Sequence, residues 1–182
     1  FRIIINNIMK CLSFDVGGTT IKYGVINNSY EVIYKDKIPT PKDEESFIKS
    51  LSEIIQKNNN DISKVSVGMP GYVNVENYKY LYGPHLPFAI DFSKLSNFSK
   101  YEFFLDNDGN VAAYCEYFLN YKNKYSNLIM LTFGTGVGGG IISEGRLLRG
   151  RGNAGEVGHM LTSNDRDVEG DSGKKGSFET SV

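Results

Sequence analysis

Two glycine-rich turns and one Asn-Asp pair are the places where this sequence could do chemistry. The first turn is Asp15-Val16-Gly17-Gly18-Thr19-Thr20, and the second is Gly134-Thr135-Gly136-Val137-Gly138-Gly139-Gly140. Each lies between β-branched, strand-like runs, so both read as strand–turn–strand tips. Tips of this kind offer backbone N–H groups and small hydroxyls, a lining that suits a polyphosphate held between two lobes. Between them in the chain stands Asn107-Asp108-Gly109-Asn110, where a strand-like stretch at 101–105 gives way to a helical pattern. A carboxylate at Asp108 can accept the proton of a hydroxyl that attacks a γ-phosphate, assistance worth about 10²–10⁴ in rate. Asp15, beside Gly17 and Gly18, could hold Mg²⁺ through water, since that ion keeps much of its hydration. Each feature also has a plainer use. Glycine clusters make tight hairpin turns, aspartate caps helices, and an aspartate can simply end a strand.

Gly134, Gly136 and Gly139 satisfy the G-x-G-x-x-G dinucleotide spacing. That fingerprint requires a helix to follow and an acid about 20 residues on. Here Ile141-Ile142-Ser143-Glu144-Gly145 follows, which is β-branched and then turns, and this argues against a Rossmann site. No G-x-x-x-x-G-K-[ST] loop occurs either. Gly155-Glu156-Val157-Gly158-His159 adds an acceptor and a switchable donor in a glycine-rich turn, a pair suited to a polyhydroxylated ligand or to an ordinary polar loop.

These residues need elements to position them. Residues 11–14, 21–26 and 31–34 read as a three-strand antiparallel meander. Phe47, Ile48, Leu51, Ile54 and Ile55 recur at helical spacing, with Asp43, Glu44 and Glu45 at the N-terminal end and Asn58 to Asn60 closing the helix. Residues 65–69 alternate as a strand ending in Pro70-Gly71, and a loop spans 82–87. Val111, Ala112, Cys115 and Phe118 mark a second amphipathic helix. The polar stretch 122–126 reads as a hinge, and Leu128-Ile129-Met130-Leu131 predicts a fully buried strand opening a second lobe. A meander feeding helix–strand–helix, then a second lobe opening strand–turn–strand, predicts the α/β, ribonuclease H-like order of an actin-like two-lobe ATPase fold.

The chain of 182 residues can bury a sizeable core, and its net charge of −1 with dispersed basic residues gives no nucleic-acid or anionic-membrane surface. No apolar run is long enough to span a bilayer, and cytoplasm is the default location. The two cysteines, Cys11 and Cys115, show no metal or redox spacing and read as buried core residues of a reducing compartment. The chain starts at Phe1, whereas Met9-Lys10 would make a natural start, so residues 1–8 read as an extraneous leader and the whole as a fragment.

In order along the chain, Asp15-Val16-Gly17-Gly18-Thr19-Thr20, Gly68-Met69-Pro70-Gly71, Asn107-Asp108-Gly109-Asn110, the Gly134–140 cluster and Ala154-Gly155-Glu156-Val157-Gly158-His159 resemble the ROK family of sugar kinases and related repressors. The likeness is greatest to its glucokinase-like members and runs over residues 9–179. It implies transfer of phosphate from ATP to a sugar hydroxyl, most simply glucose to glucose 6-phosphate, with Mg²⁺. Carried over, Asp108 is the general base, and Gly71, Asn107, Glu156, His159 and Glu179 contact the sugar. Asp15, Gly17, Gly18, Thr19, Thr20, Gly134, Thr135, Gly136 and Gly138 hold the Mg-ATP phosphates. The lobes implied are 1–121 for sugar and phosphate and 122–182 for part of a nucleotide lobe, its remainder missing, with a homodimer for the complete protein. The family also contains sugar-sensing repressors, which place a DNA reader before the first strand, and a sugar-binding relative without turnover is a further alternative.

Two departures stand out. Family members carry zinc on the histidine matching His159 and three cysteines of a C-x-C-G-x-x-G-C-x-E stretch. Here that stretch reads Gly170-Asp171-Ser172-Gly173-Lys174-Lys175-Gly176-Ser177-Phe178-Glu179. Hydroxyls do not replace thiolates on zinc, and Glu169 or Asp171 make a poor substitute set, so no zinc is expected. Ser172 or Ser177 is then the expected partner that fixes the His159 ring. The second departure is His85, which stands where glucokinase-like members place asparagine before Leu-Pro and puts the identity of the sugar in question.

Overall fold

The structure is a computed structural model and describes residues 9–59, 62–134, 136–162, 168–170, 173 and 175–182. The expected leader at 1–8, Thr135, Asp171 and Ser172 lie outside the described residues. The chain divides into two compact units, Phe1–Asp106 and Asn107–Val182.

The first unit is built on a five-stranded sheet. Strands β1 (Lys10–Val16), β2 (Thr20–Ile26) and β3 (Val32–Pro39) form the expected antiparallel meander. Helix α1 (Glu44–Lys57) then crosses over to β4 (Ile62–Met69), which pairs parallel to β1. The sheet order is β3-β2-β1-β4-β8, with β8 at Glu102–Asn107. Helix α1 forms where the sequence predicts it. The Asp43 carboxylate accepts the Ser46 amide at 2.8 Å, the acids Glu44 and Glu45 suit the positive helix end, and Asn58 caps the other end on the Ile54 carbonyl. Its apolar stripe of Phe47, Leu51, Ile54 and Ile55 is buried among Leu12, Phe14, Val65 and Val67 of the sheet. Strands β5 (Tyr72–Asn74), β6 (Lys79–Tyr82) and β7 (Ile90–Asp91) make a small antiparallel sheet whose Tyr80 is fully buried.

The second unit opens with helix α2 (Asp108–Glu116), followed by one wider π-type turn at Tyr117–Tyr121. Strands β9 (Leu128–Phe133), β10 (Val137–Ser143) and β11 (Arg146–Leu147) form a sheet in the order β11-β10-β9. Helix α2 packs on β10 and so belongs to this unit. The expected fully buried strand at 128–131 is instead an edge strand with alternating exposure. Ile129, Leu131 and Phe133 face out, at 68%, 39% and 61% exposure. The reason is that α2 packs on the face of Gly140, while the 155–159 segment packs on the opposite face over Gly139 of β10 and leaves Ile129 and Leu131 at the β9 edge exposed among the described residues. An unbroken apolar run does not by itself distinguish a strand covered on both faces from one covered on one. The cysteines also depart from expectation. Cys11 is half-buried and Cys115 is exposed on α2, although burial of its sulfur pushes the thiol pKa up.

Candidate functional site

In the first unit the Asp15 turn is a hairpin tip held from outside. The Gly17 amide donates to the Thr20 carbonyl at 3.0 Å and closes the turn. The meander register continues past Thr20 and Pro39, so the Thr40 amide donates to the Thr19 carbonyl at 2.9 Å and its hydroxyl to the Gly17 carbonyl at 2.6 Å. Lys42 Nζ adds a donation to the Gly18 carbonyl at 3.2 Å. Gly18 is required by close approach, because a Cβ there would stand 2.7 Å from the Cβ of His85. Asp15 pairs across the strands with Lys22, 3.6 Å away, and its carboxylate is 64% exposed. An exposed carboxylate with one loosely held ammonium fits outer-sphere contact with hydrated Mg²⁺.

Gly71 sits between β4 and β5 at φ 129°, where a side chain would be strained and would meet the Tyr82 carbonyl. Gly83 packs against it in turn, and the bridge between Gly83 and Leu86 presents His85 from a tight turn beside Gly18. The loop at 82–87 therefore links the sugar position expected at Gly71 to the phosphate turn within one unit.

In the second unit the Asn107-Asp108 pair resolves its own ambiguity. The helix N-cap is Asn107, whose Oδ1 accepts the Asn110 amide at 3.1 Å. Asp108 is the first helical residue, exposed, with Oδ1 accepting the Gly109 amide at 2.9 Å. The capping role that could have accounted for Asp108 is thus filled by its neighbour.

Glycines decide what surrounds Asp108. A Cβ on Gly109 would meet the Gly139 carbonyl at 2.6 Å, one on Gly140 would stand 2.5 Å from the Ala113 Cβ, and one on Gly155 would meet the Gly139 carbonyl at 2.6 Å. Backbone from α2, β10 and the 155–159 segment is therefore in direct contact. That contact brings Asp108 and Glu156 into electrostatic range, with His159 and Glu179 alongside. The segment at 176–179 is tied to this place by the Phe178 amide on the Met160 carbonyl, 2.8 Å, and the Thr162 amide on the Gly176 carbonyl, 3.1 Å.

His159 stands between two acids. Its Nδ1 is 3.8 Å from Glu156 Oε2 and its Nε2 is 3.9 Å from Glu179 Oε2. Burial pushes the Glu156 carboxyl above its ordinary pKa, the charges of Asp108 and Glu179 push the same way, and His159 opposes them. The Glu179 side chain is 7% exposed and its Oε1 has no hydrogen-bond partner among the described residues. Ser177 is fully buried and its Oγ also lacks one. The expected Ser177 partner for His159 is therefore corrected: carboxylates flank both ring nitrogens, and Ser177 does not bond the ring. Ser172 lies outside the described residues.

The second glycine turn belongs to the β9–β10 hairpin, as its sequence context requires. The Gly134 amide donates to the Gly136 carbonyl at 3.0 Å, and nothing lies within 4 Å of a Cβ built on Gly134. Gly138 faces the Thr132 hydroxyl. Sequence reasoning missed Thr40, Lys42 and the proximity of His85 to Gly18. Strand register carries Thr40 to the turn, and a longer reading of β3 would have found it; nothing in the local sequence signals the other two. Among the described residues, no group of three or more His, Cys, Asp or Glu side chains is arranged to hold a metal ion directly, and no helix is long and apolar enough to cross a membrane.

Comparison with known proteins bears on these arrangements. The family model described as "ROK family" matches residues 11–182. A glucokinase of Halalkalibacterium halodurans is 32% identical over 180 residues, covering 91% of this chain and 54% of the relative. A beta-glucoside kinase of Listeria monocytogenes is 31% identical, covering 85% of this chain and 54% of the relative. The crystal structure of a ROK family glucokinase from Streptomyces griseus, in complex with glucose and AMPPNP, superposes with a TM-score of 0.79 at 29% identity. It is matched over 94% of this chain and 56% of its own. The fold is α/β of the actin-like ATPase type, and this chain spans about half the length of the relatives it matches.

Proposed function

Because this chain belongs to the ROK family, we propose that it is part of a sugar kinase that transfers the γ-phosphate of ATP to a hexose hydroxyl, with glucose the first substrate to try. The observation that carries the reading is Asp108, a carboxylate relieved of capping by Asn107 and set beside Glu156, His159 and Glu179. In the proposed step the sugar oxygen forms the new bond to phosphorus while its proton passes to an Asp108 oxygen, and the bond from phosphorus to the bridging oxygen of ADP breaks. Glu156, Glu179 and Asn107 accept from or donate to the remaining sugar hydroxyls, and Gly71 is carried as a further sugar contact on the family resemblance alone.

The Gly17 and Gly134 amides are already engaged within their turns. Phosphate contacts in this reading fall to the remaining amides of each turn and to the hydroxyls of Thr19, Thr20 and Thr135. Mg²⁺, held through water at Asp15, would supply charge neutralisation on the phosphates. Relatives named as glucokinase and beta-glucoside kinase support sugar phosphorylation, and their differing names leave the sugar to be found by assay. A soluble, cytoplasmic homodimer is the form proposed for the complete protein.

The test is ADP release by the full protein with Mg-ATP and a hexose panel, beside Asp108→Asn. The reading predicts sugar-dependent turnover that falls by about 10²–10⁴ in the variant at unchanged melting temperature. Sugar binding without any turnover in the wild type would instead identify a non-catalytic binder.

A further inference from the structure

The resemblance implies a histidine corner held by zinc, and the residues present do not fit one. The positions of the three thiolates are Gly170, Ser172 and Ser177, and the chain's two cysteines are elsewhere, in β1 and α2. Space argues the same way. A Cβ built on Gly170 would collide with Glu179 Oε1 and stand 2.6 Å from Ser177 Oγ. Any side chain at 170, ligand or not, would have to displace the Glu179 carboxylate. The room that a first metal ligand needs is filled by an acid of the proposed sugar site.

What stands in the corner instead is an imidazole between carboxylates. His159 has Glu156 on its Nδ1 side and Glu179 on its Nε2 side, and Glu179 is nearly buried. Two oxygens with no hydrogen-bond partner among the described residues, Ser177 Oγ and Glu179 Oε1, border Gly170 from the same side. Buried polar atoms are rarely left so without purpose or an ordered water.

We infer that this corner is metal-free and that His159 is its positioning residue, setting Glu156 and Glu179 toward the sugar, with Gly170 making room for the Glu179 carboxylate. The positioning role rests on the sugar-kinase reading; the absence of zinc does not. An imidazole set between two carboxylates can hold them in place as a metal-bound one orients its neighbours.

The experiment uses the full protein purified without chelators. Zinc is measured by atomic emission, and D-glucose affinity by calorimetry before and after treatment with a strong chelator. The expected result is zinc far below one per chain and a glucose Kd indifferent to chelation. His159→Leu should weaken glucose binding about tenfold or more at a near-native melting temperature, and His159→Gln, which keeps a donor, should recover part of the loss. Gly170→Ala should weaken binding too, by pushing Glu179 aside. One tightly held zinc per chain, glucose binding lost on chelation, or native affinity in His159→Leu would each overturn the inference. A wild type that binds no hexose overturns the sugar reading and the positioning role with it, while the zinc assay still decides whether the corner is metal-free.

Discussion

The two units of this chain are packed by different means. In Phe1–Asp106 side chains fill the interior: Phe47 meets Phe92 edge-on at 6.2 Å, and Leu12, Leu51, Val65 and Met69 are fully buried around them. In Asn107–Val182 backbone meets backbone. Gly109, Gly139, Gly140 and Gly155 are in contact, and the buried apolar side chains among the described residues are Ala113, Tyr117, Val137 and Ile142. Side-chain packing stabilises by removing apolar area from water, roughly 25 cal/mol per Å². Glycine packing contributes less of that, but it lets three chain segments approach until short side chains converge. Asp108, His159 and Glu179 come within electrostatic range of Glu156 for that reason. The first unit is organised for burial, and the second for bringing charged groups together.

That contrast can be broken by substitution. The largest effect is expected at Leu51→Ala, which removes a fully buried side chain and should lower the stability of the first unit by about 2–5 kcal/mol in denaturant unfolding. Gly140→Ala should come next. It adds one methyl group against Ala113 in the second unit and should cost about 1–3 kcal/mol, a penalty for gaining rather than losing a carbon. Were Gly140→Ala neutral while Leu51→Ala remained severe, the second unit would not depend on backbone contact. The smallest effect is expected at Ile129→Thr, an exposed position of the edge strand β9, within about 0.5 kcal/mol in the same measurement on this chain. A loss there comparable to that of Leu51→Ala would mean the position is covered.

Much of the first unit was legible in the sequence because its signals are local. Meander alternation, the stripe of α1 and the acids at its N-terminal end each occupy a few consecutive residues, and each is found where expected. The strand at 128–131 was misread because its run of apolar residues reports composition and not how many faces a neighbour covers. At the candidate site the motifs announced which residues to watch, yet their order in the chain could not say which were in contact. The grouping of Glu156, His159 and Glu179 depends on close approach through Gly139 and on bonds from 176–178 back to 160–162. Nor could sequence decide between Asn107 and Asp108 as the helix cap. That required one hydrogen bond, from the Asn110 amide to Asn107.

The most direct test of the contrast is the melting temperature of Glu156→Gln across pH, read together with glucose affinity. The Glu156 carboxyl is raised above its ordinary pKa, so the folded protein keeps that proton to higher pH than the unfolded chain does. The cost of its charge is therefore absent below the ordinary carboxylate range, grows as pH rises through that range, and is complete above the raised value. If the second unit gathers charge for function, Glu156→Gln melts above the wild type at neutral pH, loses that advantage in acid, and no longer binds glucose. A variant that melts lower at neutral pH and binds glucose as before would show that Glu156 serves the fold, and would contradict the account.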